Sequence, residues 1–439
     1  MELIKWPFLK QTWGIEFERS EGAYLYTKDG RKILDAAGGA IVSNIGYGKE
    51  EVADAIAKAV KNNSYILPPF LTPEREALLD ELREHWLPSH LSRIHLSSGG
   101  SEANESAVKL AIQYQASRGK PEKNIILTRT LSYHGTTLNM SGISGHAARK
   151  RGLESYVPKA PMIETPYPLR CPLGSFHPDA KDYYLNNLKE VIKKIGSEKI
   201  AGLLMEPING SSGGAISPPD GYWEEAHKIL IDNDILLIAD EVMTGFGRVG
   251  EDFASNLYNL KPDILVAGKG MGGGYAAIGG TYSTDEIADS IQNAGYEVMF
   301  HTFAALPQSC AASAEVLKIL REEKLCERVN PLGQKILQNL NSEIGQHPNV
   351  AEIRGKGLLI GIEIVEDKTS LKPFDESNKI TSQIMQKGLE LGVFLYPGGT
   401  GEFRDIICLG PAFTIGDEEI ELMVSAVKSS LNFIADKYS

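Results

Sequence analysis

The sequence predicts an α/β fold built on a largely parallel sheet. Over most of the 439 residues, short apolar runs typical of buried strands alternate with segments whose apolar residues recur at helical spacing. The length allows a large core and two or three domains. The predicted strands span residues 93–96, 124–127, 200–205, 235–239 and 263–267. The predicted helices span residues 101–116, 180–195, 222–233 and 310–323.

The two ends of the chain have a different pattern. Residues 23–36 indicate an antiparallel hairpin, because Asp29-Gly30 is a dipeptide that favours tight hairpin turns. Late in the chain a long helix precedes strands at residues 350–355 and 358–365 and then a second helix. We therefore expect a smaller α+β domain assembled from both chain ends beside a large central domain. The predicted segments are residues 1–50, 51–323 and 324–439.

Charge and cysteine usage exclude several classes of protein. The formal net charge is -12, and the short basic runs at residues 149–151 and 193–194 are typical of solvated helix faces, so we expect no nucleic-acid partner. The four cysteines are scattered, with neither a C-x-x-C pair nor a histidine at metal-ligand spacing. We expect a reduced, cytoplasmic protein with no metal site, and no apolar run approaches the length of a membrane span.

Lys269 lies in a glycine-rich stretch that comes directly after an apolar run. The stretch spells G-x-G-x-x-G through Gly268, Gly270 and Gly273, but the dinucleotide interpretation requires a helix to open there, and a β-like sequence comes next instead. A lysine at the carboxyl end of a buried strand stands where open α/β sheets place ligands. Apolar surroundings should lower its pKa and make a neutral amine available, whereas a surface lysine in a loop is the alternative.

Two further stretches give this lysine a chemical context. Residues 235–239 form an apolar run that ends at Asp240, whose carboxylate would suit a pyridinium N–H; a structural salt bridge is the alternative. Residues 96–105 leave a strand, turn on Gly99 and Gly100 and open a helix with Ser101 near its N-cap, which is typical of a phosphate site. Together the three features describe a site for pyridoxal 5'-phosphate.

With these features the chain resembles the class III aminotransferases, which are pyridoxal-phosphate enzymes of fold type I. The resemblance extends over nearly the whole chain and is most specific in Asp240-Glu-Val-Met-Thr-Gly-Phe-Gly-Arg248 with the downstream lysine. It implies a seven-stranded, mostly parallel sheet in the large domain. It also implies that Lys269 is the internal aldimine lysine and the base that moves the substrate proton, and that Asp240 is the partner of the pyridine nitrogen.

The resemblance also assigns roles to residues around the cofactor. Val242 and Tyr133 match the residues on the two faces of the ring, and Tyr133 is also a candidate for contact with the substrate. Gly99, Gly100 and Ser101 match the phosphate loop. Thr302 matches a threonine that reaches the phosphate of the neighbouring subunit, so a homodimer with shared active sites is expected, and a tetramer is left open.

Several candidates keep two interpretations. Many relatives carry Gln at the position of Met243, so the Met argues against the ornithine and 4-aminobutyrate subgroups. We count Met243 among the residues of the cofactor site. Arg404 is either a ligand of the substrate carboxylate or a surface arginine. His134 is expected to shape the cofactor site rather than to catalyse, and Glu206 to support the cofactor strand rather than to gate a substrate arginine. Trp13 is a candidate for the substrate entrance, with ordinary packing as the alternative.

The predicted activity is a transaminase that moves an amino group from an amine or ω-amino acid to a keto acid, with pyruvate implied by the resemblance to the amine and ω-amino-acid branch. The expected cycle is a ping-pong reaction through the Lys269 aldimine. The alternative is an isomerase, an aminomutase or a racemase, on the same scaffold, because motifs do not reveal the fate of the common carbanion. A requirement for a keto acid acceptor distinguishes the two.

Overall fold

The structure is a computed structural model that describes residues 14–438, so Trp13 lies outside the described residues. In chain order the strands are β1 (Phe17–Glu21), β2 (Tyr24–Thr27), β3 (Lys32–Asp35), β4 (Arg93–Ser97), β5 (Ile125–Arg129), β6 (Met162–Ile163), β7 (Ile200–Met205), β8 (Leu236–Asp240), β9 (Ile264–Ala267), β10 (Gly279–Ser283), β11 (Val350–Lys356), β12 (Leu359–Ile364), β13 (Val393–Phe394), β14 (Tyr396–Gly398) and β15 (Ile406–Leu409).

The α-helices of the described part of the chain agree with the predicted alternation. They are α1 (Gly38–Ile41), α2 (Glu50–Asn62), α3 (Pro73–Glu81), α4 (Gly100–Ser117), α5 (Leu138–Ile143), α6 (Ala147–Lys150), α7 (Ala180–Ile195), α8 (Tyr222–Asp232), α9 (Ala254–Leu257), α10 (Asp285–Asn293), α11 (Pro307–Glu322), α12 (Leu325–Ile344), α13 (Ile380–Glu390) and α14 (Asp417–Tyr438). The four predicted helices correspond to α4, α7, α8 and α11, which confirms them with small differences at their ends.

The central sheet has seven strands in the order β4-β10-β9-β8-β7-β5-β6. The pairs from β9 to β6 are parallel, and β10 runs antiparallel to both β4 and β9. This confirms the predicted α/β fold with a mostly parallel sheet. The sequence after the glycine-rich stretch forms β10 and not a helix, which is why the dinucleotide interpretation fails.

Apolar side chains cover the sheet on both faces, because successive residues of a strand point to opposite sides. On one face Leu237 and Ala239 of β8 pack with side chains of α7 and α8, including Trp223. On the other face Leu236 and Ile238 pack with α4 and α10. The continuous apolar runs in the sequence therefore mark strands that are buried on both sides.

The chain ends meet in a second sheet. Strands β2 and β3 form the predicted antiparallel hairpin, with Gly30 at φ 87 in its turn, and β13 from the C-terminal part pairs parallel with β3. A third, antiparallel sheet has the order β11-β12-β15-β14. The boundaries at residues 50 and 323 stay a prediction. None of the helices in residues 14–438 combines the length and the apolarity that a membrane span requires.

Candidate active site

A cavity opens at the carboxyl ends of β8 and β9, beside the first turn of α4. Because β8 and β9 are parallel neighbours, with Asp240 in register with Val266, the residues after both strands reach the same edge of the sheet. The residues that line the cavity are Gly100, Ser101, Asn104, Tyr133, His134, Gly135, Glu206, Ile208, Ser211, Asp240, Val242, Met243, Thr244 and Lys269. The structure thus brings together most of the residues predicted from sequence.

Lys269 comes shortly after β9 and begins a single turn of 3-10 helix. Its backbone has φ 38, in the left-handed region that non-glycine residues seldom adopt. Burial lowers the pKa of its amine to about 8, while the charges of Asp240 and Glu206 act in the opposite direction. At pH 7 about a tenth of Lys269 is therefore a neutral, nucleophilic amine, far more than for a lysine with the ordinary pKa of 10.5.

Asp240 ends β8 and is buried, with hydrogen-bond donors on both carboxylate oxygens. Its Oδ2 atom accepts hydrogen bonds from Nδ1 of His134 and Nδ2 of Asn104, each at 2.8 Å. Its Oδ1 atom accepts the backbone N–H of Val242 at 3.1 Å. Asn104 also donates to the carbonyl oxygen of His134 at 2.9 Å, so the three side chains form one network. This network fixes the direction in which the carboxylate faces the cavity.

The first turn of α4 supplies the predicted anion site. The helix begins at Gly100, and Gly99 occupies the cap position, where no side chain accepts a hydrogen bond from the first turn. Ser101 is the second helical residue and lies close to the N-cap, as expected from sequence. Free N–H groups at a helix N-terminus, together with the positive end of the helix dipole, favour a bound phosphate.

Close backbone approach explains two glycines at this site. A Cβ atom on Gly100 would lie 2.8 Å from Cγ1 of Val242, and one on Gly135 would lie 2.6 Å from Oγ of Ser101. Gly135 also has φ 142, a conformation that L side chains rarely adopt. The Ser101 hydroxyl accepts the backbone N–H of Thr136 at 3.1 Å. These contacts hold the segment around Tyr133 and His134 against the start of α4.

Glu206 comes directly after β7 and is surrounded by donors from the protein. One carboxylate oxygen lies 3.4 Å from a guanidinium nitrogen of the buried Arg129, and the other accepts the backbone N–H of Gly210 at 2.8 Å. Burial raises the pKa of Glu206, and the Arg129 charge opposes this increase. The pairing with an arginine of β5 supports the structural interpretation of Glu206 over the gating one. The Met243 side chain lies beside Gly210 and lines the cavity.

Three predicted site residues are not among those that line the cavity: Gly99, which is the N-cap directly before Gly100, Thr302 and Arg404. Thr302 is exposed on this chain. Arg404 donates hydrogen bonds to the carbonyl oxygens of Gly401, at 3.1 Å, and Phe374. Arg404 is not among the residues that line the cavity of its own chain, and its guanidinium links its loop to the segment at Phe374 instead.

Sequence reasoning missed other residues of the site. Asn104 lies one helical turn after Gly100 and Ser101, so the 3.6-residue period placed it on the same face of α4 and was the signal available. Ser211 and Ile208 come after the end of β7, much as Lys269 comes after β9, and the strand-end rule could have found them. Arg149, in one of the basic runs, lies with its guanidinium carbon 4.3 Å from the centroid of the Tyr133 ring.

These residues fit pyridoxal phosphate. The start of α4 leaves backbone donors for the phosphate, Asp240 presents an acceptor for a protonated ring nitrogen, and Lys269 presents an amine for the aldehyde. The His134 Nε2 atom is buried and has no hydrogen-bond partner within residues 14–438. The backbone donors of α4, the Asp240 carboxylate and the Lys269 amine together suit an organic phosphate cofactor with an electron-poor ring.

Comparisons with known proteins agree with this site. The family model described as class III aminotransferase matches residues 10–431. The chain is 35% identical over 413 residues to the uncharacterized aminotransferase YodT of Bacillus subtilis, covering 92% of each protein. It is 30% identical over 416 residues to the putrescine–pyruvate aminotransferase of Pseudomonas aeruginosa, covering 94% of this chain and 90% of that one. A PLP-bound amine transaminase from an uncultivated Pseudomonas species superposes with a TM-score of 0.92, at 30% identity and 99% coverage of both chains.

The fold and the site define a pyridoxal-phosphate enzyme that transfers amino groups. The chain belongs to the class III aminotransferase family. Its cofactor is pyridoxal phosphate, and its substrates are an amino donor and a keto acid.

Proposed function

We propose that this enzyme takes its amino group from an amine or an ω-amino acid and passes it to pyruvate in two separate half-reactions. The observation that carries the proposal is the pair Lys269 and Asp240, which stands at adjacent strand ends in one cavity. The name of the putrescine–pyruvate aminotransferase supports an amine as the donor and pyruvate as the acceptor. The name of the amine transaminase supports the donor class as well.

Each part of the cavity has a separate task in this reaction. When bound, pyridoxal phosphate supplies the aldehyde that takes up the amine and a ring that accepts the electron pair left on the substrate carbon. The start of α4 binds the phosphate, and Asp240 keeps a negative charge beside the ring nitrogen. The Nζ atom of Lys269 takes the proton from the substrate carbon and returns it, because its lowered pKa suits both steps near neutral pH.

We also propose a homodimer in which each subunit completes the site of the other. Thr302, predicted to reach the neighbouring phosphate, is exposed and adjoins Phe303, which is 63% exposed. Tyr65 lies edge-on to Phe303 with ring centroids 6.5 Å apart, and exposed apolar side chains continue along both segments. The most exposed of them are Phe70, Leu71 and Met299. A contiguous apolar surface of this kind is typical of a subunit interface.

The decisive experiment is a single half-reaction. Holoenzyme is mixed with a panel of amines and ω-amino acids in the absence of any keto acid, and the absorbance spectrum and the carbonyl product are monitored. We expect the cofactor to convert to its amine form with one equivalent of carbonyl product per site. Pyruvate added afterwards should restore the aldehyde form and yield alanine.

Lys269→Ala serves as the matched control, since it retains the phosphate loop and Asp240 but lacks the amine that moves the proton. It should bind the cofactor and fail to convert it at a comparable rate. Turnover of an amino acid without acceptor and without carbonyl product would instead establish an isomerase. A first half-reaction reversed by other keto acids but not by pyruvate would refute the proposed acceptor.

A further inference from the structure

Arg75 is a buried arginine in the first turn of α3, and its side chain is 3% exposed. Within residues 14–438 all hydrogen bonds of its guanidinium go to backbone carbonyl oxygens and none to a carboxylate. Nε donates to the carbonyl oxygen of Ala305 at 2.7 Å, and Nη1 donates to that of Leu67 at 2.9 Å. The remaining acceptors are the carbonyl oxygens of Ile66, Pro68 and Phe70.

These carbonyl groups belong to two segments that are distant in sequence. Residues 63–72 connect α2 to α3, and residues 294–306 connect α10 to α11. In the described part of the chain no backbone hydrogen bond joins the two segments. The Arg75 side chain donates to both of them, and its acceptor Ala305 lies 230 residues away in sequence. Arg75 therefore ties together two loops that neither a sheet nor a helix connects.

The contact with Ala305 bears directly on Thr302. Ala305 has φ 52, in the left-handed region that non-glycine residues adopt only at a steric cost. Its carbonyl oxygen accepts the hydrogen bond from Nε of Arg75, which helps to hold a conformation that alanine alone disfavours. Thr302 belongs to the same turn, so its position depends on this contact.

The two loops also supply the apolar surface proposed above as the subunit interface. Phe70 is 63% exposed in the first loop, and Met299 is 68% exposed in the second. A surface built from two loops fits a partner well only when the loops are already held in their bound arrangement. Arg75 is buried and does not line the cofactor cavity, so it acts on the site through these loops.

We infer that Arg75 is a positioning residue that holds residues 63–72 and 294–306 in the arrangement in which each subunit completes the cofactor site of the other. The inference rests on the shared-site homodimer proposed above and names the residue on which that assembly depends. An arginine suits this task because its planar guanidinium carries N–H donors that point in several directions. A lysine has a single donor nitrogen and cannot span both loops equally well.

The first measurement is the cofactor affinity of the full chain. Pyridoxal phosphate is titrated into apoenzyme, and the absorbance of the lysine-bound cofactor is monitored. We expect the half-saturating concentration to rise about 10-fold in Arg75→Met, as for the loss of a hydrogen bond, and to rise less in Arg75→Lys. Arg321→Gln is the matched control, because within residues 14–438 Arg321 joins α11 to α3 through Glu81 and donates to neither loop. It should bind the cofactor like wild type.

Hybrid dimers separate positioning across the interface from support of the chain's own fold. In a hybrid of Arg75→Met with Lys269→Ala, lysine-bound cofactor forms only in the site of the Arg75→Met chain. The loops that complete this site come from the Lys269→Ala chain, whose Arg75 is intact. The half-saturating concentration should therefore return to the wild-type value. A hybrid as weak as the Arg75→Met homodimer would overturn the inference and show that Arg75 supports only its own chain.

Hydrogen exchange provides a test that stands even if Arg75→Met fails to fold. In the Arg75→Lys holoenzyme the backbone amides of residues 63–72 and 294–306 should both exchange faster than in wild type. Faster exchange in one loop alone, or in neither, would overturn the inference.

Sedimentation of wild type distinguishes this inference from the dimer on which it rests. A wild type that stays monomeric at every concentration would refute both. A dimeric wild type whose cofactor affinity is unchanged by Arg75→Met would refute the inference alone. None of these measurements requires turnover, so failure of the proposed amino-group transfer would leave the role of Arg75 intact.

Discussion

Nδ1 of His134 lies 2.8 Å from Oδ2 of Asp240, and both side chains are buried beside the cavity. Since the carboxylate is an acceptor, the histidine is assigned as the Nδ1–H tautomer, which leaves its buried Nε2 atom without a donor within residues 14–438. We therefore propose that His134 acts on the cofactor through Asp240 and not by direct proton transfer. This is a positioning role, in line with the expectation from sequence that His134 shapes the cofactor site rather than catalyses.

His134→Phe should weaken the enzyme by removing one of the three hydrogen bonds to Asp240. A hydrogen bond to a charged group contributes about 1.5–3 kcal/mol, so the rate of the first half-reaction should fall about 10- to 100-fold. His134→Asn is the matched variant, because its amide nitrogen occupies nearly the position of Nδ1 and should retain part of the rate. Equal rates for the two variants would show that the hydrogen bond to Asp240 is not what the reaction requires.

The reactivity of Lys269 in the apoenzyme should rise with pH through a midpoint near 8 and level off about one pH unit above that midpoint. The neutral amine is the nucleophile, and burial lowers the pKa of this lysine to about 8, so its fraction is half-maximal there and falls at lower pH. Reductive methylation combined with peptide mass spectrometry measures each lysine separately. Lys181 provides an internal control, since its hydrogen bond to Glu225 raises its pKa and its modification should still be increasing where that of Lys269 has levelled off. A Lys269 profile that coincides with the Lys181 profile would contradict the role of burial.

Arg129→Met should destabilise the protein by leaving the Glu206 carboxylate buried without its ion-pair partner. Removing one member of a buried pair costs about 3–5 kcal/mol in the free energy of unfolding, and Arg129→Met with Glu206→Gln should recover part of it. Urea unfolding of the wild type, the two single variants and the double variant measures the coupling.

The pH dependence of that loss has a definite sign. Burial raises the pKa of Glu206 above its ordinary value of 4.5, so the proton is bound more tightly in the folded state than in the unfolded state. Protonated Glu206 therefore contributes its full stabilisation to the folded state at pH values below 4.5. This contribution is lost as the pH rises through the folded-state pKa of Glu206. The cost of Arg129→Met should therefore shrink as the pH falls toward 4.5. A cost that is constant over this range would mean that lost packing of the arginine, not the unpaired charge, causes the destabilisation.

The core of the active site could be predicted from sequence because of where the apolar runs end. Asp240 and Lys269 each stand at the end of a continuously apolar run, and the carboxyl ends of parallel strands are where α/β folds place ligands. Their meeting in one cavity depends on the parallel pairing of β8 with β9, which no single run reveals. The resemblance to a known family implied a mostly parallel sheet but gave no strand order.

Arg149 shows why other parts of the site could not be predicted. A run of three basic residues is typical of a solvated surface, and Arg149 is indeed exposed. Its relation to the site depends on the Tyr133 ring, 16 residues earlier, and on the loop around Thr400, which contacts α6 only in the folded chain.

Thr302 can be assigned to its own subunit or to its neighbour by mixing two inactive or weakened chains. In a hybrid dimer of Lys269→Ala and Thr302→Ala, the only site with a lysine amine belongs to the Thr302→Ala chain. If Thr302 serves the partner subunit, that site receives an intact threonine from the Lys269→Ala chain. The pyridoxal-phosphate concentration that gives half-maximal activity should then match wild type, at about half the activity per dimer, whereas Thr302→Ala homodimers should require about 10-fold more cofactor. Hybrids as weak as those homodimers would place the threonine in the site of its own chain, and the shared-site dimer would have to be abandoned.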